Sequence, residues 1–402
     1  MSSVNISDQD RRTDFDHNDS SVSAAEMRHA YAELREKCPI AHSERFGGFE
    51  YVSRYADVRE ILSNSDRFTS GEGVFIPDTE VPRIPPLEFD PPMHATLRKM
   101  MDGPLNPRAV RGFEPTILEV ANGLIDNFAA RGTADLASEL AEPLPAIVIG
   151  RMVGLDQDEA IEVRRIAIAL FESIGTAEFA SKMQEFVAFN EEQLELRRRQ
   201  PRDDYLTGIA AGELNGVPVD AERVTGIMTA YLLGGHHSTS TGIGGLLRYV
   251  LSVSGLRDRL VNSDDKSLLH RVIEESLRLT TPLQFFARTV HGGVEVGGVQ
   301  FSESDRLVLN LAAANRDPRQ FEDPERFDAD RSRNAHVAFG GGLHSCQGQH
   351  IARAEMRTAL QALLIRLPDI HLDGDVVEAG VKAGLMAVTS LPVAFTPQPS
   401  RT

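Results

Sequence analysis

The chain has 402 residues, 41% of them apolar, which is enough to enclose a large hydrophobic core. Its 59 acidic and 42 basic residues give a net charge of −17, which argues against nucleic acid and anionic membranes as partners of the whole surface. Residues 1–20 are polar and acidic, unlike a signal peptide, and no apolar run reaches the roughly 18 residues of a membrane span. We therefore expect a cytoplasmic protein with no membrane association, in which residues 1–20 are disordered, and length alone suggests two or three domains.

Helical periodicity of the apolar residues dominates the chain up to Ser252. It predicts helices over 24–37, 57–63, 93–101, 115–130, 135–153, 158–173, 180–199 and 221–252, with a short strand over 48–52. The segment from Gly71 to Pro92 is rich in glycine and proline and is predicted to be a long ordered loop, a feature that is often functional.

The last third of the chain changes character. Short runs of β-branched and apolar residues around glycine turns predict strands over 294–296, 299–301, 306–311 and 391–395, beside one helix over 351–367. The expected fold class is therefore mainly α with a small β-rich region.

The glycine-rich stretch from Phe339 to Arg353 contains Cys346, one of only two cysteines in the sequence; the other is Cys38. Glycines let the backbone approach a large flat ligand closely. A cysteine at the start of a helix feels the positive end of the helix dipole, which favours the thiolate. A single thiolate makes a poor zinc site but a good axial ligand for haem iron. The structural alternative is a buried free cysteine after a flexible loop.

This stretch resembles the haem-binding signature of the cytochrome P450 superfamily, in the order Phe-Gly-x-Gly-x-His-x-Cys-x-Gly. The resemblance implies the P450 fold as a single domain over residues 21–402. It also implies a haem b with Cys346 as its axial ligand, and haem contacts from Phe339 and Gly340. The family usually has leucine where this chain has Ile351. The resemblance runs from about residue 24 to residue 398 and is nearest to soluble bacterial members that hydroxylate small apolar molecules such as camphor.

A second segment stands out in the middle of the helix predicted over 221–252, for which Asp220 is the expected N-cap. Gly234 and Gly235 precede a run of His, Ser and Thr, and each glycine costs a helix interior about 1 kcal/mol. Residues that disfavour a helix inside an otherwise helical segment indicate a functional site. Glycines allow a planar ligand to approach the backbone, and hydroxyls that bond to backbone carbonyls open the helix. The structural alternative is a close crossing of two helices at the glycines.

This segment resembles the oxygen-binding stretch of the family's distal helix. The resemblance assigns oxygen activation to Gly235, His237 and Ser238, although the family usually has an acid in place of His237 and threonine in place of Ser238. Serine keeps the hydroxyl and histidine can shuttle protons near neutral pH, so we expect proton delivery to be altered. His236 and His237 are adjacent and should lie on different helix faces, which does not suit a zinc site.

Glu275 and Arg278 lie three residues apart on one predicted helix face and are expected to pair. By itself such a pair is usually a surface contact of little energetic value. It resembles the family's Glu-x-x-Arg pair, which braces the core on the haem side, and Arg326 fits the usual third partner.

Four cationic positions match the family's contacts to the haem propionates: His94 and Arg98, four residues apart after Asp90-Pro91-Pro92, then Arg288, and His344 two residues before Cys346. Arginine binds carboxylates in a planar, bidentate manner, which suits a propionate.

The resemblance implies a haem-thiolate monooxygenase that inserts one atom of dioxygen into a small or medium hydrophobic substrate. The sequence contains no flavin or iron–sulfur motif, so electrons are expected from a separate ferredoxin or flavodoxin-like donor with its reductase. That donor is expected to dock at Lys99, Arg353 and Arg357, and the protein is expected to be a monomer. The expected pocket is lined by Phe75, Leu87, Ala230, Leu233, Gly234, Gln284, Phe286, Leu385 and Met386, with Gln284 available to hydrogen-bond the substrate.

Two alternatives remain open at this point. The unusual His237 leaves room for a haem-thiolate enzyme with atypical chemistry, such as peroxide-driven oxidation, oxidative coupling or reduction of a nitrogen oxide. A haem protein that senses or carries a ligand without turnover is the other.

Overall fold

A computed structural model of the chain describes residues 11–78, 83–174, 176–214, 216–218 and 221–399. Contacts divide the chain into two compact units, each assembled from three separate stretches of sequence. Unit 1 comprises residues 1–80, 244–346 and 376–390, and unit 2 comprises residues 81–243, 347–375 and 391–402. The expectation of a single domain over 21–402 stays a prediction.

Helices form most of the regular structure, as predicted. In the described residues the α-helices are α1 (Ala24–Lys37), α2 (Tyr55–Ser63), α3 (Met93–Leu105), α4 (Pro107–Ala129), α5 (Pro143–Val153), α6 (Gln157–Ser173), α7 (Phe179–Arg199), α8 (Tyr205–Ala210), α9 (Ala221–Leu232), α10 (His237–Ser252), α11 (Leu256–Asn262), α12 (Leu268–Thr280), α13 (Leu311–Ala314) and α14 (Gln349–Arg366). Within this part of the chain, no helix is both long and apolar enough to cross a membrane.

The strands are short. They are β1 (Arg12–Thr13), β2 (Ile40–Ser43), β3 (Phe49–Val52), β4 (Phe68–Thr69), β5 (Thr133–Asp135), β6 (Glu213–Leu214), β7 (Val217–Pro218), β8 (Phe285–Val290), β9 (Val294–Val296), β10 (Val299–Phe301), β11 (Arg306–Asn310), β12 (His371–Leu372), β13 (Val377–Glu378), β14 (Val388–Ser390) and β15 (Pro392–Ala394). The fold class, mainly α with a small β-rich region, is confirmed.

Unit 1 is organised around a six-stranded sheet in the order β1-β2-β3-β11-β8-β4. β11 lies at its centre, parallel to β3 with Val308 opposite Tyr51 and antiparallel to β8 with Val308 opposite Ala287. Aromatic side chains fill one face of this sheet, where Phe49 and Tyr51 are almost completely buried. The sheet thereby fixes β8, the strand that carries Phe286 and Arg288.

The segment from residue 11 to residue 20 is ordered, contrary to the predicted disorder of residues 1–20, while residues 1–10 lie outside the described part of the chain. β1 pairs with β2 in parallel, and Phe15 packs edge-on to Tyr31. His17 is only 1% exposed. Phe15 and His17 therefore hold this segment against unit 1, although its overall composition is polar.

Unit 2 is largely helical. α4 packs on α14, and α5, α6 and α7 pack on one another in chain order. Its three-stranded sheet, in the order β12-β15-β5, joins Ala134 to Val393. Arg197 of α7 has a fully buried side chain that bonds Glu159 and Asp204, which ties the start of α6 to the turn before α8.

The structure corrects three of the predicted helices substantially, and it extends the helix predicted over 93–101 to Leu105. The helix predicted over 115–130 begins at Pro107, because Asn106 caps it through hydrogen bonds from the amides of Arg108 and Ala109. The helix predicted over 135–153 is strand β5, then a π-helical turn over Ala137–Ala141, then α5. The helix predicted over 221–252 is divided into α9 and α10, and its expected N-cap Asp220 lies outside the described residues.

Candidate active site

Cys346 lies in an extended loop of unit 1 that follows a 3-10 turn over Gly342–His344. Its amide donates to the carbonyl of Phe339 at 2.8 Å, which closes the loop on itself. The Cys346 thiol is exposed, whereas the other cysteine, Cys38, is buried. An accessible thiol in a closed glycine loop fits an axial haem ligand and does not fit the alternative of a buried free cysteine.

Gly342 is required by the geometry of this loop. Its φ is +61°, and a Cβ there would lie 2.1 Å from the carbonyl oxygen of Leu62. Gly340 also has a positive φ, of +69°, whereas Gly341 has an extended backbone and room for a methyl group. The loop that would hold haem therefore depends on backbone conformations that glycine permits at Gly340 and Gly342.

The predicted propionate ligands are distributed over both units. In unit 1, Arg288 lies on β8, only 3% exposed, and His344 ends the turn before Cys346. In unit 2, His94 and Arg98 lie one turn apart on α3, and the Arg98 carbonyl accepts a hydrogen bond from the Gln347 side chain at 2.8 Å. Burial and the Arg98 guanidinium lower the pKa of His94, so its ring is a neutral hydrogen-bonding group at neutral pH.

Glu275 and Arg278 form the predicted pair, and it is fully buried rather than a surface contact. Their carboxylate and guanidinium form two hydrogen bonds of 2.8 and 2.9 Å. The predicted third partner, Arg326, is wrong: its side chain is 63% exposed and only its carbonyl contacts Arg278, at 3.3 Å. Arg331 takes that place, with its Nε 3.1 Å from Glu275.

The distal segment interrupts the helix. Residues 233–236 lie between α9 and α10, and the amide of Gly234 donates to Thr229 five residues earlier, at 3.3 Å. A Cβ on Gly234 would lie 2.4 Å from the Ala230 carbonyl, and one on Gly235 would lie 3.0 Å from Ile149 of α5. The helix is therefore opened as predicted, and Gly235 also serves the helix crossing that was the structural alternative.

Ser238 follows this break, in the first turn of α10. Its hydroxyl donates to the carbonyl of Gly234 at 3.1 Å, the bond back to the backbone that the sequence pattern predicts. Thr241 repeats the pattern one turn later, donating to His237 at 2.9 Å. Ser238 is thus a hydroxyl held at the edge of an opened helix.

His236 and His237 do not diverge as two adjacent residues of a regular helix would. Their rings stack at 4.2 Å and 28°, because the backbone before α10 is not helical. His237 also stacks on Phe171 of α6 at 4.1 Å. Desolvation of the ring, with the charge of His236, lowers the pKa of His237 to about 3. This lowered pKa does not favour the expected role of His237 as a charged proton donor near neutral pH, and that role stays a prediction.

His236 has a polar partner that sequence reasoning missed. Its Nε2 lies 3.2 Å from both a carboxylate oxygen and the carbonyl of Glu142, the residue between the π-turn and α5. Arg164 of α6 contacts the same carboxylate, with its Nε at 3.1 and 3.2 Å. Burial of the carboxylate raises the pKa of Glu142, but the hydrogen bonds from His236 and Arg164 outweigh it and hold the pKa below its ordinary value. No spacing rule connects residue 142 with residue 236, so nothing in the sequence pointed to the pair.

The predicted substrate residues fall into two groups. In unit 1 the rings of Phe75 and Phe286 lie 6.1 Å apart, and Leu385 and Met386 are buried. Gln284 is 2% exposed, and its amide nitrogen donates to the carbonyls of Thr280 and Thr281, so it is engaged at the end of α12. In unit 2, Leu87, Ala230, Leu233 and Gly234 are partly or fully exposed.

Comparison with known proteins identifies the family. The cytochrome P450 family model matches residues 255–368. The chain is 34% identical to nocardicin C N-oxygenase of Nocardia uniformis subsp. tsuyamanensis over 87% of its length and 90% of that enzyme. It is 32% identical to cytochrome P450 107B1 of Saccharopolyspora erythraea, over 87% of this chain and 89% of that protein.

Solved structures agree. The fold matches the Mycobacterium marinum cytochrome P450 CYP268A2 in complex with pseudoionone, with a TM-score of 0.85 and 28% identity, over 94% of this chain and 96% of that one. It also matches a mutant of P450 EryK in complex with erythromycin B, with a TM-score of 0.82 and 27% identity, over 94% and 98%. Family members use haem b with an axial cysteine thiolate and are monooxygenases. The chain therefore belongs to the cytochrome P450 family and is a haem-thiolate monooxygenase.

Proposed function

We propose that this enzyme holds haem b through the Cys346 thiolate and hydroxylates a small or medium hydrophobic substrate. The observation that carries the proposal is the accessible thiol of Cys346 in a loop that only glycine can form at Gly342. When bound, the haem supplies the activation of dioxygen, one atom of which enters the substrate. The other atom leaves as water after the uptake of two electrons and two protons.

The protein's own part is to hold and orient. We propose Arg288, His344, His94 and Arg98 as the propionate ligands, with Phe339 and Gly340 against the haem. The buried arginine and the neutral His94 support this assignment, since a guanidinium and an imidazole N–H both donate to carboxylates.

We propose Ser238, beside Gly235, as the hydroxyl that serves oxygen activation. Its bond joins α10 to the carbonyl of Gly234 within the break that follows α9, which supports a hydroxyl that exchanges between the backbone and a small ligand. Serine lacks the methyl group of the family's threonine, so the hydroxyl is less restricted in χ1.

The proposed substrate is apolar because its candidate contacts are apolar: Phe75, Phe286, Leu385 and Met386 in unit 1, and Leu87, Ala230, Leu233 and Gly234 in unit 2. Gln284 is left out, because its amide already caps α12. Relatives are named for unlike reactions, among them nocardicin C N-oxygenation and steroid C26 monooxygenation, so their names do not identify this substrate.

We infer that electrons come from a ferredoxin or a flavodoxin-like protein with its reductase, and that the enzyme is a cytoplasmic monomer. The resemblance to soluble bacterial members supports this inference. Lys99, Arg353 and Arg357 remain the proposed docking cations, although Arg357 contacts Glu114 at 2.7 Å.

The experiment compares Cys346→Ala with Cys38→Ala in the reduced carbon-monoxide complex. We expect the thiolate-type spectrum to vanish in the first variant and to persist in the second, because only Cys346 is exposed. Persistence of that spectrum in Cys346→Ala would refute the ligand assignment. In parallel, Ser238→Ala should retain the substrate-induced spectral change while diverting oxygen to peroxide.

A second candidate function, peroxide-driven oxidation, is favoured by one observation: the imidazole of His237, which stacks on Phe171, stands where the family has an acid. Product formation with peroxide alone, compared with formation from dioxygen and a reductant, distinguishes the two. If the protein consumes neither peroxide nor the reductant, the result would favour a haem protein that senses or carries a ligand without turnover.

A further inference from the structure

The N-terminal segment over residues 11–18 is fastened to the sheet of unit 1, and the proposed function does not use it. β1 pairs with β2, and the Arg45 side chain donates to the carboxylate of Asp16 at 3.1 Å. The Tyr51 hydroxyl on β3 donates to the carbonyl of Phe15 at 3.2 Å. These contacts fix the path of the segment along the sheet.

The last two residues of this segment, His17 and Asn18, meet at one backbone carbonyl, that of Ile76. The side-chain amide of Asn18 donates to this oxygen at 2.8 Å, and the Nε2 of His17 lies 2.8 Å from it. His17 and Ile76 are 1% and 6% exposed, so the contact is largely shielded from water. Loss of the Asn18 donor would therefore leave a buried carbonyl without a bond that solvent could replace.

Ile76 directly follows Phe75, one of the proposed substrate contacts, in the loop after β4. The ring of Phe75 lies 6.1 Å from that of Phe286 on β8, and both rings are partly exposed. The ring of His17 lies edge-on to Phe285, the residue before Phe286, at 4.4 Å. Because successive residues of a strand point to opposite faces, His17 packs behind the strand that carries one member of the aromatic pair.

Different groups hold the loop on the other side of Phe75. The amide of Ala287 donates to the carbonyl of Val74 at 2.7 Å, and Arg306 donates to the carbonyl of Phe75 at 3.2 Å. The backbone around Phe75 is thus held by the sheet before the ring and by the N-terminal segment after it. Removal of the Asn18 bond releases one side only, so we expect the fold to persist while the ring of Phe75 gains freedom.

We propose that Asn18 is a positioning residue for the substrate. By holding the carbonyl of Ile76, it sets where the ring of Phe75 stands beside Phe286 in the apolar pocket. The proposal deepens the proposed function and rests on its assignment of both rings to that pocket. An aromatic or other flat apolar substrate gains most from this pair, because aromatic rings interact through edges and offset faces whose separation is specific.

The first measurement uses the haem-loaded enzyme and two probes that bind haem iron, imidazole and 4-phenylimidazole, followed through the haem absorbance. We expect the wild type to bind 4-phenylimidazole more tightly, since its additional ring can reach the proposed pocket. Asn18→Asp keeps the size of the side chain, but a carboxylate cannot donate. It should reduce the preference for 4-phenylimidazole by about twofold to tenfold, the range of one aromatic contact.

Two further variants complete this comparison. Asn18→Ala also lacks the donor and should show the same reduced preference, including when Asn18→Asp does not fold. Asn262→Asp is the matched control, because it adds the same charge and removes an amide that donates to the carbonyl of Asp258 at 2.8 Å. We expect imidazole binding and the thiolate-type spectrum to stay as in the wild type in every variant. Loss of either in the Asn18 variants would indicate a general disturbance and would overturn the positioning role.

Phe75→Ala separates failure of this proposal from failure of the proposed function. If Phe75→Ala removes the preference for 4-phenylimidazole while both Asn18 variants keep it, the positioning role is refuted and the proposed pocket stands. If Phe75→Ala itself keeps the preference, Phe75 does not line the pocket, and the pocket assignment and the positioning role are both refuted.

A second readout follows the ring position without ligand binding or turnover. The sequence contains no tryptophan, so Phe75→Trp labelled with fluorotryptophan gives a single fluorine resonance. In the reduced carbon-monoxide complex, which is diamagnetic, we expect one narrow line with Asn18 or with Asn262→Asp. Adding Asn18→Asp should broaden or divide that line, because the ring exchanges between positions. An unchanged line would show that the contact with Ile76 does not hold the ring, and would overturn the proposal.

Discussion

The Nε of Arg331 lies 3.1 Å from a carboxylate oxygen of Glu275, whose side chain has no solvent exposure. The Glu275 carboxylate also accepts hydrogen bonds from the Nε and a terminal nitrogen of Arg278. It accepts two more, each of 3.0 Å, from the backbone amide of Asp328 and the side-chain amide of Asn334. Desolvation opposes the charge of Glu275, but these donors lower its pKa below the ordinary value. Removal of one of these donors would therefore leave the buried charge of Glu275 incompletely compensated.

Arg331→Ala removes one of two guanidinium partners from this buried charge. We expect a loss of about 2–4 kcal/mol of unfolding free energy, because a buried charge loses its compensation. The matched variant Arg326→Ala removes a side chain that is 63% exposed and should change stability by less than about 0.5 kcal/mol. Urea unfolding of both variants measures this difference, and equal losses would restore Arg326 as the third partner.

Gly342→Ala should disturb the Cys346 loop, and Gly341→Ala should not. The first substitution places a methyl group 2.1 Å from the Leu62 carbonyl at a φ of +61°, whereas at Gly341 the nearest atom is 3.4 Å away. We expect Gly342→Ala to be purified with less haem and a weakened thiolate spectrum. The ratio of haem absorbance to protein absorbance reports the effect, and equal ratios in both variants would contradict it.

His17 should make the protein sensitive to acid. Its Nε2 lies 2.8 Å from the Ile76 carbonyl and its Nδ1 lies 2.6 Å from the Tyr51 hydroxyl, and burial lowers the pKa of His17 to about 4. The unfolded chain binds a proton near pH 6.5, so the stabilisation is complete above that pH and is lost as pH falls toward 4.

The shift corresponds to on the order of 3 kcal/mol across that window. Melting temperatures of the wild type and of His17→Gln at several pH values should therefore converge on acidification. The exposed His29, changed to glutamine, serves as the control. Parallel curves for the wild type and His17→Gln would show that His17 is not the sensitive group.

Charge reversal of the proposed docking cations should weaken electron delivery. Lys99→Glu and Arg353→Glu should raise the apparent Michaelis constant for an acidic ferredoxin, and added salt should have the same effect on the wild type. Arg357→Glu should have less effect, since Arg357 is already paired with Glu114. Steady-state reduction rates at two ionic strengths provide the measurement. If neither charge reversal nor added salt alters the reduction rates, these residues are not part of the docking surface.

Local chemistry accounts for what the sequence by itself determined. The glycine loop at Cys346, the pair Glu275–Arg278, the opened helix at Gly234 and the family could all be predicted, because each depends on residues within a few positions of one another. The helix α1 was predicted to the residue from the periodicity of its apolar residues, and in the structure Ser23 and Glu26 form a capping box at its start.

Tertiary structure alone decided the rest. Arg331 rather than Arg326 reaches Glu275, and Glu142 meets His236 across 94 residues, because burial of a charge selects its partner by position in space. Burial, with the ring of His237 stacked on Phe171 of α6 and on His236, lowers the pKa of His237 to about 3. The contact with Phe171 joins positions far apart in the sequence, so no local pattern indicates it. Residue type thus fixed which chemistry was available, and packing fixed which groups carry charge.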